Sequence, residues 1–184
     1  MDSNLILLTG ARGAGKSTLV RRLLAENRRP LRGFFTENQP LESGEGHRTY
    51  LHPAHLPRQF TRDNLVALYT PAGLTVFPQV FDTLGCACLG GVSSGDLVVM
   101  DELGFLEGKS PAFLQAVLTA LDGPAPVLAV VKDRRDVPFL DAVRSHPSAQ
   151  LYTVTPDTRQ ALFRQLRPWM AALAAELPET PPER

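Results

Sequence analysis

The chain has 184 residues, of which 43% are hydrophobic and 21% charged, and this size suits one well-filled core rather than two domains. Its nineteen basic and nineteen acidic residues cancel, so no overall field favours nucleic acid or an anionic membrane as a partner. The first apolar run is too short for a signal peptide or a membrane span, and Cys86 and Cys88 suit no disulfide framework. We expect one cytoplasmic domain over residues 1–177 and a disordered tail over 178–184.

The first elements are a short apolar strand, Leu5 to Leu8, a glycine-rich loop and a helix. The loop fits the pattern G-x-x-x-x-G-K-[ST] at every fixed position. Backbone N–H groups and the helix N-terminus bind phosphate in such a loop, while the lysine reaches the β- and γ-phosphates. The residues of this predicted nucleotide site are Gly10, Ala11, Arg12, Gly13, Ala14, Gly15, Lys16, Ser17 and Thr18. Lys16 is also a candidate catalytic residue, and Ser17 is a candidate Mg²⁺ ligand.

The chain that follows the loop helix is less regular. Gly33 to Thr36 predict a second strand. Residues 38–62 contain two glycines, three prolines and few apolar residues, which predicts a loop or an irregular hairpin that projects from the core. Pro78 is suited to the first turn of a helix, whose apolar face ends before Gly90.

The second half of the chain alternates strands and helices. Apolar runs predict strands over 97–100, 127–131 and 151–154. Helices are predicted after Ser110-Pro111, over 139–144 and after Thr155-Pro156, with a proline kink at Pro168 in the last one. Strands that are apolar throughout and alternate with helices predict an α/β fold, with a mainly parallel sheet and helices on both faces. Ligands of such sheets bind at the carboxyl ends of the strands.

Two acids, Asp101 and Glu102, come directly after the apolar run 97–100. P-loop proteins hold Mg²⁺ with the hydroxyl of the loop and an aspartate at the end of such a strand, so Ser17 and Asp101 are the predicted metal ligands. The adjacent carboxylate suits a water held for in-line attack on the γ-phosphorus. Glu102 is therefore the candidate general base.

Three arginines are weaker candidates for the same edge of the sheet. Arg159 follows the last strand, so its guanidinium could stack on the base of a nucleotide; the alternative is an exposed arginine in the first turn of a helix. Arg134 and Arg135 follow the strand 127–131, where one of them could act as an arginine finger, although a solvated loop is the favoured interpretation.

Four segments of the chain resemble the small nucleoside-triphosphatase family first described from thermophiles, also called the cancer-related nucleoside-triphosphatases. The segments are Gly10 to Thr18, Gly33 to Glu37, Met100 to Glu107, and Val154-Thr155 leading to Arg159. They occur in the order of the family and span most of residues 4–165. The resemblance implies a P-loop fold and slow, Mg²⁺-dependent hydrolysis of several nucleoside triphosphates. The family usually has Asn-Arg where this chain has Thr158-Arg159, so only the arginine carries over.

The sequence thus favours Mg²⁺-dependent hydrolysis of nucleoside triphosphates, ATP and GTP among them. One alternative is a kinase of a nucleoside or another small molecule, in which an acid activates a hydroxyl in place of water. Another is a nucleotide-dependent binding module, in which residues 38–62 respond to the γ-phosphate and contact a partner.

Overall fold

The structure is a computed structural model that describes residues 4–175. An eight-stranded sheet forms the centre of this part of the chain. The strands are Leu5–Thr9 (β1), Leu31–Pro40 (β2), His47–Pro53 (β3), Leu65–Thr70 (β4), Gly73–Val76 (β5), Leu97–Leu103 (β6), Val127–Val131 (β7) and Ala149–Thr153 (β8). Their order in the sheet is β5-β4-β3-β2-β6-β7-β1-β8. From β2 to β8 every neighbouring pair is parallel, whereas β2 to β5 pair antiparallel.

Within residues 4–175, six helices flank the sheet. They are Lys16–Leu24 (α1), Pro78–Val80 (α2), Cys86–Leu89 (α3), Pro111–Leu121 (α4), Pro138–Arg144 (α5) and Arg159–Ala175 (α6). A π-helical turn, Phe81–Gly85, joins α2 to α3, and 3₁₀ turns cover Arg62–Asn64 and Leu106–Lys109. Pro168 lies inside α6.

The central parallel strands β1, β6 and β7 bury both of their faces, which explains their long apolar runs, whereas the edge strand β8 is partly exposed. Leu5 and Leu7 of β1 pack into a core that also holds Phe113 of α4. Ile6 and Leu8, which alternate with them, pack into a second core beneath α1 and α6. The predicted fold, a mainly parallel sheet with helices on both faces, is confirmed.

Residues 38–62 are more regular than the sequence predicts. β2 continues to Pro40 and pairs with the whole of β3, so this segment extends the sheet instead of projecting from it as an irregular hairpin. Within this segment, strand structure is absent only from the turn over 41–46 and from the part between Pro53 and the turn at Arg62. The strands β4 and β5 were not predicted at all. β4 is itself a largely apolar run that could have been identified as a strand, whereas β5 has only four residues and three of them are exposed.

Three smaller features also differ from the prediction or lie beyond the described residues. β6 does not end at Met100 but runs to Leu103, which places Asp101 and Glu102 within the strand. Ser110 precedes α4, and its hydroxyl donates to the Asp82 carboxylate. Its oxygen accepts no N–H from the first turn of the helix, so the side chain does not cap α4. The predicted tail over 178–184 lies outside the residues that the structure describes.

Candidate active site

The phosphate loop connects β1 to α1 at the carboxyl edge of the parallel strands. Gly15, the residue before α1, has φ +91°, and a Cβ at this position would lie 2.4 Å from Nη1 of Arg159. The side chain of Arg159 therefore packs directly on the loop, and only glycine allows this contact. The structure brings Arg159 and the loop together, although 144 positions separate Gly15 from it in the sequence.

Arg159 is placed by the cap of α6. The Thr155 N–H donates to the Thr158 hydroxyl oxygen at 2.9 Å, and the Thr158 N–H donates to Oγ1 of Thr155 at 3.1 Å. These reciprocal bonds satisfy backbone N–H groups at the start of the helix, as an N-cap does. They fix the point at which the chain turns from β8 toward the loop.

The ammonium of Lys16 lies over the loop and is only 8% exposed. Its Nζ donates to the carbonyl oxygens of Gly10 at 2.8 Å and Ala11 at 3.0 Å. It also lies 3.7 Å from Oε1 of Glu102. The loop thus holds a dehydrated cation where phosphate would bind, and a carboxylate stands beside it.

Ser17 and Asp101 form the candidate metal centre. The Ser17 hydroxyl donates to Oδ1 of Asp101 at 3.3 Å, and Asp101 is buried. Burial raises the pKa of this carboxyl to about 6, while the Ser17 hydrogen bond opposes the shift. A cation would offset the cost of burying the charge, and hydroxyl and carboxylate oxygens are the ligands that Mg²⁺ prefers. The two residues therefore fit a Mg²⁺ ion.

Glu102 lies between two lysines. Its Oε1 faces Lys16, and its Oε2 lies 3.5 Å from Nζ of Lys132. The regular pairing of β6 with β7 is shifted between Asp101 and Leu103, so Glu102 has no partner in that ladder. A quarter of its side chain is exposed, which leaves the carboxylate accessible to water.

Lys132 is the functional candidate that the sequence reasoning missed, although its neighbours Arg134 and Arg135 were considered. It follows β7 directly and so lies at the same edge as the loop, which is the signal that could have identified it. Arg134 borders the phosphate loop, packs 4.8 Å from the Phe105 ring centroid and is paired with Asp136. Arg135 is 75% exposed, as a solvated loop residue would be.

Glu107 is the second candidate that the sequence reasoning missed, and its carboxylate is fully buried. Both of its oxygens accept from the Gly104 N–H at 3.2 Å. Burial raises the pKa of this carboxyl to about 7, and the hydrogen bonds oppose the shift. The only signal for it in the sequence is its place in an acidic segment that follows a buried strand.

Two adjoining cavities occupy this edge of the sheet. The phosphate cleft, of about 480 Å³, lies along residues 10–18 of the loop. The hairpin cavity, of about 510 Å³, lies between the antiparallel strands and the segment 104–107. Arg12, Glu102 and Lys132 line both. The site therefore consists of a phosphate-binding part and a second space beside it.

The sequence profile of a family described as NTPase matches residues 5–167. The chain belongs to this NTPase family. The prediction of an enzyme that hydrolyses nucleoside triphosphates is thereby confirmed, and the substrate of the family is a nucleoside triphosphate. The resemblance noted from the four segments is confirmed as well.

Curated relatives agree with the NTPase assignment. The protein is 42% identical over 90 residues to nucleoside-triphosphatase THEP1 of Thermofilum pendens, a match that covers 48% of this chain and 50% of that protein. It is 28% identical over 167 residues to nucleoside-triphosphatase THEP1 of Thermotoga petrophila, which covers 88% and 89% of the two chains.

A solved structure supports the fold of this NTPase. The crystal structure of THEP1 from the hyperthermophile Aquifex aeolicus superposes with a TM-score of 0.71 at 22% identity, and covers 90% of this chain and 98% of that one. None of the helices within residues 4–175 has the length and apolar character needed to cross a bilayer.

Proposed function

We propose that this NTPase uses Mg²⁺ to hydrolyse ATP, GTP and related nucleoside triphosphates to the diphosphate and phosphate. The observation that carries the proposal is the arrangement of Lys16, Ser17, Asp101 and Glu102 at one edge of the sheet. A cation, a metal-binding pair and a carboxylate then surround the position that the γ-phosphate takes in P-loop proteins.

Ser17 and Asp101 would hold the metal ion, which neutralises charge on the β- and γ-phosphate oxygens. Lys16 would exchange the carbonyls of Gly10 and Ala11 for phosphate oxygens, which compensate its charge better than neutral acceptors do. In the structure, Nζ of Lys16 lies 3.7 Å from Oε1 of Glu102. The exchange would move the ammonium toward the phosphate and so away from this carboxylate.

Glu102 would then act as the general base. It would hold a water opposite the leaving oxygen and take a proton as the water attacks the γ-phosphorus. Lys132, 3.5 Å from the carboxylate, would orient it and stabilise the charge that develops on the transferred group.

Arg159 would contact the nucleoside end of the substrate. Its guanidinium packs against Gly15, and Arg159 follows β8, which β7 and β1 separate from β6, the strand of Glu102. A planar cation at this position can stack on any base, which suits a broad range of triphosphates. The cytoplasm is the compartment that we propose for this activity, because both cysteines are free thiols.

The experiment that tests the proposal is phosphate release by Glu102→Gln with no acceptor present. Glutamine keeps the shape of the side chain but not its basicity, so turnover should fall by roughly 10² to 10⁴ while affinity for Mg²⁺ and a non-hydrolysable ATP analogue is kept. Glu45→Gln is the matched control, since Glu45 is exposed in the turn between β2 and β3. Wild-type turnover in Glu102→Gln would exclude Glu102 as the base.

A further inference from the structure

The hairpin cavity is built on one face of the antiparallel strands. Thr36 and Asn38 share a face of β2, because side chains two positions apart point the same way. The strand register then places Thr49 beside Asn38, Tyr69 beside His47, and Leu74 beside Tyr69. The floor of the cavity is therefore a polar patch near β2 and a ring-bearing, apolar patch toward β5.

The opposite wall comes from the parallel part of the protein. It consists of Phe81 from the π-helical turn and of the segment 104–107 that follows β6. Phe105 is 38% exposed and Tyr69, whose ring stacks on that of His47, is 50% exposed. Accessible rings in the lining suit a flat ligand that packs against them.

Polar groups that line the cavity can form hydrogen bonds with such a ligand. The Thr49 hydroxyl donates to Oδ1 of Asn38 at 2.7 Å, so the Nδ2 group of Asn38 is the part of the amide left to donate to a ligand. The Glu107 carboxylate, which also lines the cavity, accepts from the Gly104 N–H and from its own backbone N–H, which leaves part of its roughly four acceptor sites unused. It keeps capacity to accept a further hydrogen bond from an N–H or O–H group.

The cavity opens toward the γ-phosphate, because Arg12, Glu102 and Lys132 line it and the phosphate cleft together. Apart from these three, the fixed charge on its lining is that of Glu107, so the space is not built for a second phosphate group. An uncharged molecule with a hydroxyl group would fit this chemistry.

We propose that the hairpin cavity binds a nucleoside and that the enzyme transfers the γ-phosphoryl group to one of its hydroxyls. The ring packs against Phe105 and Tyr69, Asn38 donates to the base, and the sugar hydroxyl reaches Glu102. This proposal rests on the orientation of the triphosphate that underlies the proposed function. It adds an acceptor other than water.

The transfer step balances without any further reagent. The hydroxyl oxygen of the nucleoside forms a bond to the γ-phosphorus as the bond from that phosphorus to the β,γ-bridging oxygen breaks. The hydroxyl proton goes to Glu102, and the nucleoside diphosphate leaves with the electron pair of the broken bond. Water competes for the same position when the cavity is empty.

The base of the triphosphate itself would occupy a different place. Arg159 lies against Gly15 and follows β8, whereas the hairpin cavity lies along β2 to β5, on the other side of β6 and Glu102 in the sheet. A triphosphate whose γ-phosphate lies beside Glu102 extends toward Arg159 and leaves the hairpin cavity free.

The test uses the full chain with ATP labelled at the γ-position and adenosine, guanosine, cytidine or uridine added singly. The label is separated into inorganic phosphate and nucleoside monophosphate. We expect at least one nucleoside to divert label into its monophosphate. Labelled inorganic phosphate as the sole product with all four nucleosides would overturn the acceptor proposal while leaving hydrolysis intact. No release of label under any condition would instead overturn the proposed function.

Variants of β2 locate the acceptor. Asn38→Ala should lower nucleoside phosphorylation about five- to tenfold, whereas Gln39→Ala, on the opposite face of the same strand, should not. Tyr69→Ala provides a second variant from β4. Equal loss of affinity for a non-hydrolysable ATP analogue in Asn38→Ala and Tyr69→Ala would show that the cavity holds the base of the triphosphate, and would overturn the assignment. Unchanged nucleoside phosphorylation in both variants would overturn it as well.

Discussion

The two halves of the sheet divide the work of the site between them. The parallel half (β6, β7, β1 and β8) has buried, apolar strands everywhere except at its edge strand β8, and the polar side chains of the buried strands gather where those strands end. The hairpin half (β2 to β5) carries polar side chains along the strands themselves, on an open face. A strand buried on both faces can present chemistry only at its ends, whereas a half-exposed strand can line a cavity along its length.

This difference explains how the phosphate cleft and the hairpin cavity meet. β2 belongs to both halves, since it is parallel to β6 and antiparallel to β3. The residues that line both cavities lie in the parallel half, on the phosphate loop, β6 and the residue after β7. The parallel half therefore supplies the charged groups, and the hairpin half supplies the surface on which a second molecule can rest.

The largest effect is expected where the halves join. Gly33 of β2 has φ +88°, and a Cβ there would lie 1.9 Å from the Val99 carbonyl oxygen of β6. Gly33→Ala should therefore cost about 3 kcal/mol or more, which lowers the melting temperature by roughly 6–12 °C. Gly44→Ala is the control: its φ is +77°, but no atom lies within 4 Å of the added Cβ, so about 1 kcal/mol is expected.

The same variant asks whether the halves unfold together. Trp169 is the single tryptophan of the chain; it lies on α6 and is buried in the core beneath that helix, on the parallel half. In a cooperative molecule, Gly33→Ala shifts the tryptophan fluorescence transition and the circular dichroism transition equally. A tryptophan transition that stays at the wild-type temperature would show that the hairpin half unfolds by itself.

A smaller and pH-dependent effect is expected from Glu107, the buried acid that faces the hairpin half. Its pKa rises to about 7 in the folded protein, so the folded state binds a proton that the unfolded state has lost between about pH 4.5 and pH 7. Stability should fall as the pH rises through this window. Glu107→Gln should remove the part of the fall that comes from Glu107, while the part from Asp101, whose pKa rises to about 6, remains. The variant should be more stable than the wild type by up to about 3 kcal/mol above pH 8.

Thermal unfolding of the wild type and Glu107→Gln at about pH 5 and about pH 8.5 measures this difference. Gln can still accept from Gly104, so the variant preserves the hydrogen bond that holds the segment. Glu45→Gln, which changes an exposed acid, should show the wild-type dependence. An equal difference between Glu107→Gln and the wild type at both pH values would mean that Glu107 is ionised throughout.

The smallest effect concerns Arg159 and should be confined to nucleotide affinity. Loss of a stacking guanidinium in Arg159→Ala should raise the KM for adenine, guanine and pyrimidine triphosphates about three- to tenfold, with kcat little changed. Arg164→Ala, an exposed arginine further along α6, is the control. If Arg159→Ala leaves the KM values for all of these triphosphates unchanged, the proposed contact with the base is wrong.

The sequence was informative wherever residue type follows directly from a physical demand. The loop glycines, Lys16 and the acids after Met100 were identifiable because phosphate and metal binding require those residue types at that spacing. The hairpin half has no such demand. β5 is a short, exposed strand without an apolar pattern, and the contacts of Asn38 and Tyr69 depend on strand register. Register arises from long-range pairing, which local patterns do not specify.

Lys16 has a consequence for where the cost of binding falls. Its ammonium is already stripped of most water and held by the Gly10 and Ala11 carbonyls before any substrate arrives. The dehydration of this cation is therefore completed when the chain folds, and a phosphate that enters need not remove water from it again. The cost appears as lost conformational stability of the protein, and each catalytic cycle begins with a Lys16 ammonium that is already dehydrated.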